Sequence, residues 1–330
     1  MFVFEADTAG ELWSSAWDEV EARGKHRLHA RGDYREALHS VLSLRDPRQR
    51  WVTTRKPSIN PAFAIAEVIW IVQGRNDSGF LLPWNRALPQ YSGEGATLYG
   101  AYGERVRSRF GFDQLRRAAD ALEHSPEQRQ VVLQIWDPET DFPTETGHSR
   151  APDIPCNVMA MLKVVDGKLE WLQVMRSNDL IRGLPYNLVQ WTSVQEVVAG
   201  WMGLDVGNYV HISDSLHVYD RDRSAFTSKL VPDQRSGADL RLSRAESENT
   251  FKALETTAEI LGQATEEEAI LGAIQALDPH SSYADWLYVL AAERTRRLGN
   301  PGLSRNLVER IGDAPLRWVT TQWHDEKSPL

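Results

Sequence analysis

The only cysteine of the chain, Cys156, lies in the stretch DIPCNVMA between Pro155 and Asn157. A thiol there is either an inert core group or a nucleophile, depending on what surrounds it. Downstream, MRSND supplies Arg176, Ser177 and Asp179, GLPYN supplies Gly183 and Asn187, and HVY supplies His217 and Tyr219. Arginine suits bidentate contact with a phosphate, and a neighbouring hydroxyl adds a donor. An amide presents a donor and an acceptor side by side, which matches the edge of a pyrimidine. Two polar aromatics two residues apart on a strand point the same way and can hold a sugar hydroxyl. Glu67 stands inside AFAIAEVIWIVQG (62–74), where an unpaired buried carboxylate is costly.

Taken singly, each of these residues has an ordinary explanation. Arg176 fits a surface ion pair, Asn187 a helix N-cap, and His217 with Tyr219 a half-buried strand. Cys156 fits a core thiol, and Glu67 a structural salt bridge. Their joint occurrence in a fixed order points to chemistry on a planar, anionic ligand.

Three kinds of element must position them. Residues 11–46 read as helical, through ELWSSAWDEVEARG and then DYREALHSVLSL, separated by a basic turn that contains Arg31. RDPRQRWVTTRKPSINP is Pro-interrupted and cannot continue a helix. Residues 62–74 read as a helix buried on all sides, with Gly74 as its stop. The middle, about 129–235, reads as a sheet: RQVVLQIWD, then a hairpin turning at Asp166-Gly167, then VGNYVHISDSLHVYDRD. One long helix, about 187–202, lies on it. Hairpin joins favour an α+β fold over a doubly wound sheet. Neither GxGxxG nor a P-loop is present. Residues 236–330 read as a helical extension punctuated at Asp278-Pro279 and Gly299-Asn300-Pro301.

Composition excludes some classes. A net charge of −9 argues against a nucleic-acid-coating protein, though not against a small phosphorylated ligand held by a few arginines. No apolar run approaches the length of a membrane span. A lone cysteine and the lack of a basic-then-apolar N-terminus lead to the expectation of a reducing, cytoplasmic setting. No metal site is expected.

The ordered run PCN…MRSNDLIRGLPYN…HISDSLHVYD resembles the thymidylate synthase family, whose signature is P-C-H, R-S-x-D, G-x-P-F-N and H-x-Y. Here 20 positions separate Cys156 from Arg176, 11 separate Arg176 from Asn187 and 30 separate Asn187 from His217. TTRKPSINPAFAIAEVIWIVQG, YGAYGERVR and RQVVLQIW resemble further family segments, for coverage of about 25–235. The resemblance implies a mixed twisted sheet with packed helices as a catalytic domain over 1–235; the helical extension of 236–330, which matches no family segment, is expected to pack on that domain. It implies Cys156 as the nucleophile at C6 of a pyrimidine, with Arg176 holding the phosphate and helping to keep the thiolate. Ser177 and Arg31 would add phosphate contacts, and Arg129 would reach the phosphate of a second subunit, so a homodimer is implied. Asn187 would read the base, His217 and Tyr219 the 3′-hydroxyl, and Asp179 and Gly183 would serve the folate side. Glu67 would order water for proton transfers, and Tyr102 (or Tyr99) would assist loss of the C5 proton. The implied cofactor is 5,10-methylenetetrahydrofolate and the implied substrate a pyrimidine nucleoside monophosphate.

The departures from the family pattern bear on the product. Asn157 replaces the His after Cys, Gln130 the second arginine of an Arg pair, and Met175 the Gln before R-S. Ser215 stands where Asp is usual, with Asp214 one place earlier. The Trp-rich segment is reduced to LLPWNRALPQY, and the short closing tail is replaced by helices. Hydride transfer needs water excluded, whereas hydration needs it admitted. These changes favour C5 hydroxymethylation over methylation, and Asn157, by releasing or reversing the Asn187 amide, would favour cytosine (CMP or dCMP), as in the cytidylate hydroxymethylases of antibiotic pathways. A thymidylate synthase acting on dUMP and a non-catalytic nucleotide-binding homologue are the alternatives.

Overall fold

The computed structural model describes residues 1–29, 32–229, 234–276 and 281–327. The chain begins with strand β1 (Phe2–Ala6) and helix α1 (Ala9–Arg23), whose Thr8 and Glu11 form a capping box. Then come β2 (Lys25–Arg27), β3 (Tyr34–Leu44) and the two-residue β4 (Arg55–Lys56). Helix α2 (Pro61–Val72) starts with Asn60 accepting from the Phe63 amide at 3.1 Å and Pro61 in the first turn. Short helices α3 (Pro89–Ser92) and α4 (Tyr102–Arg107) precede α5 (Gln114–His124), β5 (Val132–Gln134) and α6 (Pro138–Asp141). Strands β6 (Asn157–Val165) and β7 (Lys168–Met175) form the expected hairpin, with Asp166 and Gly167 both at positive φ (49° and 74°). A bridge, β8 (Asn178–Asp179), leads into α7 (Leu184–Trp201) and β9 (Asp205–Tyr219). Helix α8 (Asp220–Arg223) and β10 (Thr227–Ser228), which pairs with β4, finish this part.

The main sheet runs β1-β3-β9-β7-β6-β5, with β2 and β8 at its margin. Pairs β1/β3 and β7/β9 are parallel, while β3/β9, β6/β7 and β5/β6 are antiparallel. The expected mixed sheet of an α+β fold is therefore present. Helices α7 and α2 pack against each other beneath one sheet face. Residue after residue of both is buried, which is why neither shows a polar stripe in its sequence.

One expectation fails. DYREALHSVLSL is not a helix: Tyr34–Leu44 is strand β3, with Ser40, Leu42 and Leu44 buried in alternation. Ala37, Val41 and Leu44 give an accidental helical spacing. The pairing skips His39, which adopts φ 55°, and that irregularity masks the period of two.

The extension contains α9 (Arg244–Gln263), α10 (Glu267–Ala273), α11 (Ser282–Arg297), α12 (Pro301–Glu309) and α13 (Ala314–Lys327). Asn300 caps α12 and Pro301 opens it, as the punctuation implied. Asp278-Pro279 lies outside the described residues. Helices α9, α11 and α13 pack on α2. Polar ties reinforce the contact: Gln73 Nε2 donates to Glu255 at 2.7 Å, and the Ser58 amide to Glu326 at 2.6 Å. No helix of the described residues is long and apolar enough to cross a membrane.

Candidate active site

Cys156 sits immediately before β6, half-buried, in the wall of a cavity of about 510 Å³. Glu67, Tyr102, Arg176, Ser177, Asp179, His217 and Tyr219 share that wall. Side chains from α2, α4, the β7–β8 turn and the end of β9 thus converge on the thiol. An adjoining polar cavity of about 280 Å³ is shared by Arg176, Ser177, His217 and Tyr219 and completed by His29, Tyr34 and Ser215.

Arg176 is fixed by main chain rather than by a carboxylate. Its Nε donates to the Pro155 carbonyl at 3.0 Å and its terminal nitrogen to the Ile154 carbonyl at 3.1 Å, with the guanidinium 5.4 Å from the Trp136 ring centre. Its charge is left for a ligand, and the surface ion-pair reading is overturned among the described residues. The Arg176 amide also donates to the Cys156 carbonyl at 3.0 Å, which ties the backbones of the two residues together. Burial pushes the Cys156 thiol up, and Arg176 only partly offsets this. Desolvation thus opposes the thiolate and the Arg176 cation favours it.

Among the described residues Glu67 has no salt bridge. Its Oε2 is buried without a partner, and burial pushes its pKa up to about 8, against a hydrogen bond from Gln190. The folded chain therefore keeps this proton well above the ordinary carboxyl range, while the unfolded chain gives it up. Stability from this group is present at low pH and lost as pH rises to about 8. Glu67→Gln should accordingly raise the melting temperature, by a margin that widens from pH 5 to pH 8. A margin that stays constant between these pH values would remove the assignment of an uncompensated buried acid.

Tyr102 is half-buried at the start of α4, and desolvation pushes its phenol above the ordinary range. Tyr99, the other alignment, donates to the Thr140 carbonyl at 2.8 Å and is absent from the cavity wall. Asn157 is fully buried behind Tyr102. The Trp171 indole donates to Gln173 Oε1 at 2.9 Å, and Gln173 Nε2 donates to Asn157 Oδ1 at 2.9 Å. Because an indole can only donate, the polarity of this chain is set and the Asn157 amide nitrogen is left buried without a hydrogen-bond partner. Asn157 thus has a partner other than Asn187, and the Asn187 amide is held by Gln190 rather than from position 157.

Asn187 is not an N-cap. Gly183 occupies that place, and Asn187 lies inside α7, donating from Nδ2 to Gln190 Oε1 at 3.0 Å. Gly183 is needed for packing within its own turn: a Cβ there would lie 2.8 Å from Asn178 Oδ1 and 3.0 Å from the Asp179 carbonyl, and the residue does not line the cavity. Asp179 does line it, with Oδ1 accepting from the Ile181 and Arg182 amides at 2.8 and 2.9 Å. His217 and Tyr219 face the same side, ring centres 5.3 Å apart. Arg129 is exposed in the turn before β5, outside the cavity wall. Arg31 lies outside the described residues, between His29 and Tyr34 of the smaller cavity. Of the departures, Ser215 donates to Glu36 at 2.6 Å and Asp214 pairs with His39 at 2.8 Å. Trp84, the tryptophan of LLPWNRALPQY, is turned into the core and is 1% exposed. Leu81, Leu88 and Leu98 form the cavity wall in that region, and no described residue of the extension contributes to it.

Sequence reasoning missed Gln190 and Asp153, both in the cavity wall. Gln190 follows Asn187 by one helical turn, a spacing that was available in GLPYNLVQ. Asp153 precedes the cysteine but carries no signal beyond that adjacency.

The profile of the thymidylate synthase family matches residues 20–267. The chain belongs to that family. The match runs past 235 into α9 and the start of α10. Among characterised proteins, the chain is 33% identical over 236 residues to the deoxyuridylate hydroxymethyltransferase of Bacillus phage SP01, covering 68% of this chain and 61% of that one. It is 34% identical over 176 residues to the deoxyuridylate hydroxymethyltransferase of Pseudomonas phage M6, covering 53% and 49%. It is 31% identical over 149 residues to the thymidylate synthase of Oenococcus oeni, covering 42% and 44%. The chain thus matches about half of the length of these relatives. They are one-carbon transferases, and the family takes its one-carbon unit from methylenetetrahydrofolate.

Proposed function

We propose that this protein hydroxymethylates C5 of a pyrimidine nucleoside monophosphate through a covalent Cys156–C6 adduct. The observation that carries the reading is the convergence of Cys156, an Arg176 without a carboxylate partner, Ser177, Glu67, Tyr102, His217 and Tyr219 on one cavity. In this reading the phosphate lies against Arg176 and Ser177, and the sugar hydroxyl against His217 and Tyr219. Arg31 adds to the phosphate site, and Arg129 reaches it from a second subunit.

The addition divides one hard step into easier ones. Cys156 gives its thiol proton to water as Sγ bonds to C6, and the C5–C6 π pair moves toward C4 and its exocyclic oxygen or nitrogen, which makes C5 nucleophilic. Tyr102 assists loss of the C5 proton to water once C5 carries its new substituent, its phenol accepting a hydrogen bond from that water while keeping its own proton. Glu67, protonated through the neutral range, orders water and passes protons at the O4/N4 edge. Water adds to the exocyclic methylene, and Cys156 departs from C6. Trp70, Ile71, Leu81, Leu88 and Leu98, with the carboxylate of Asp179 on the same wall, fit a flat heteroaromatic ring with a polar edge. Methylenetetrahydrofolate bound there would supply a one-carbon unit at the oxidation level of formaldehyde. Trp84 in the core, away from the cavity, supports water as the final reactant rather than hydride. The test is tritium release from 5-tritiated nucleotides that depends on the folate, followed by product analysis; a chain that releases none from CMP, dCMP, UMP or dUMP is not this enzyme.

The homodimer has a surface to form on. Val41, Met159, Met161, Leu172, Val174, Val210 and Ile212 point to the sheet face opposite α7 and are only half-buried. They adjoin in register, with Ile212 opposite both Val41 and Val174, and Leu172 opposite both Met161 and Val210. A continuous apolar face of this kind favours association. Sedimentation as a dimer at micromolar concentration is expected, with dissociation in Ile212→Glu; a wild type that sediments as a monomer contradicts the trans role of Arg129. Residues 236–330 act as the support of α2 and hence of Glu67, so that 1–235 and 236–330 fold as one unit.

A further inference from the structure

Asn187 and Gln190 are 6% and 3% exposed, one turn apart on α7. Asn187 Nδ2 is committed to Gln190 Oε1 at 3.0 Å, and Asn187 Oδ1 is buried with no hydrogen-bond partner. Gln190, unlike Asn187, is itself part of the cavity wall, next to Glu67. We infer that Gln190 is a specificity-determining positioning residue: it holds the Asn187 amide by its nitrogen, leaves the oxygen to meet the base, and so selects uracil over cytosine. The inference rests on the nucleotide reading above.

The chemistry follows from donor counting. The Gln190 carbonyl is taken by Asn187, so its NH2 is the end left for Glu67, whose carboxyl supplies an acceptor. From Glu67 outward the order is acceptor, donor, acceptor, donor, and it ends on an acceptor at Asn187 Oδ1. Uracil carries a hydrogen on N3 and satisfies that acceptor. Cytosine presents a lone pair at N3, which would leave two acceptors facing each other and both unpaired. A polar site that rejects the wrong partner in this way discriminates more strongly than an apolar pocket. Reversing the order would require the protonated Glu67 to turn its O–H toward Gln190 and both amides to flip together, against the Asn187-to-Gln190 bond of the structure. No group at position 157 takes part, since Asn157 is held by Gln173 and faces Tyr102.

The test compares dissociation constants of dUMP and dCMP for the full chain, read by tryptophan fluorescence without folate or turnover. Wild type should prefer dUMP by on the order of tenfold or more. Gln190→Leu removes both amide ends at similar volume and should bring the two constants within about threefold. Gln190→Glu, which keeps an acceptor for Asn187, should retain the preference; a purely structural role for Gln190 predicts no such division between the variants. Gln190→Met repeats the measurement with an unbranched side chain in case the leucine variant does not fold. A Gln190→Leu or Gln190→Met protein with the wild-type preference overturns the inference, as does a wild type that favours dCMP. A wild type that binds neither nucleotide overturns the nucleotide reading and this inference with it.

Discussion

Cys156→Ser is expected to lower kcat by at least about 10³-fold while dissociation constants for the nucleotide stay within about threefold. Serine is nearly isosteric, and the groups that would hold phosphate and sugar, Arg176, Ser177, His217 and Tyr219, are untouched. The loss falls on chemistry. A hydroxyl is far harder to deprotonate than a thiol, and no histidine other than His217, assigned to the sugar, lines the cavity to act as its base. A core-thiol role predicts the opposite division, with a lower melting temperature and unchanged turnover. Steady-state kinetics, nucleotide titration and thermal melting on the same preparation separate the two. Unchanged turnover removes Cys156 as the nucleophile.

Arg176→Ala is expected to lower kcat/KM by about 10²–10³-fold, acting in two ways. It removes a cation that no carboxylate among the described residues neutralises, and so weakens the hold on phosphate. It also removes the one neighbour that lowers the Cys156 thiol against the effect of burial. The pH profile for alkylation of Cys156 by iodoacetamide should therefore move to higher pH in the variant. Arg176→Lys keeps a charge near the thiol but cannot reproduce the paired contacts to Pro155 and Ile154. It should restore much of the alkylation profile and little of the phosphate affinity. An alkylation profile identical in wild type and Arg176→Ala would limit Arg176 to bracing the 154–156 loop.

The parts of this site that were legible in the sequence are those whose chemistry is local. The β6–β7 hairpin was marked by Asp166-Gly167, and the burial of α2 by its unbroken apolar run around Glu67. Residues in the ordered run from Cys156 to Tyr219 could be placed because the family carries them in fixed order. What stayed hidden depends on partners distant in sequence. The strand state of Tyr34–Leu44 is set by pairing with β9, some 170 residues later, and its period is broken at His39. The partners of Asn157 and Asn187 are Gln173 and Gln190, and only the packed structure shows that each amide has its own buried partner. The upward push on the Cys156 thiol comes from desolvation, which sequence does not display. The direction in which Trp84 points is likewise fixed by the helices around it, including Arg297 of α11, which donates to its carbonyl at 2.7 Å.

The central claim is the fate of the exocyclic methylene, and the mass of the product tests it most directly. The full chain is incubated with dUMP and, separately, dCMP in the presence of methylenetetrahydrofolate, and product mass is read alongside dihydrofolate absorbance. Water capture predicts a nucleotide heavier than substrate by one formaldehyde unit, with tetrahydrofolate as the released cofactor. A nucleotide heavier by one methylene unit, with stoichiometric dihydrofolate, would mean that hydride reached the methylene and would contradict the hydroxymethylase reading.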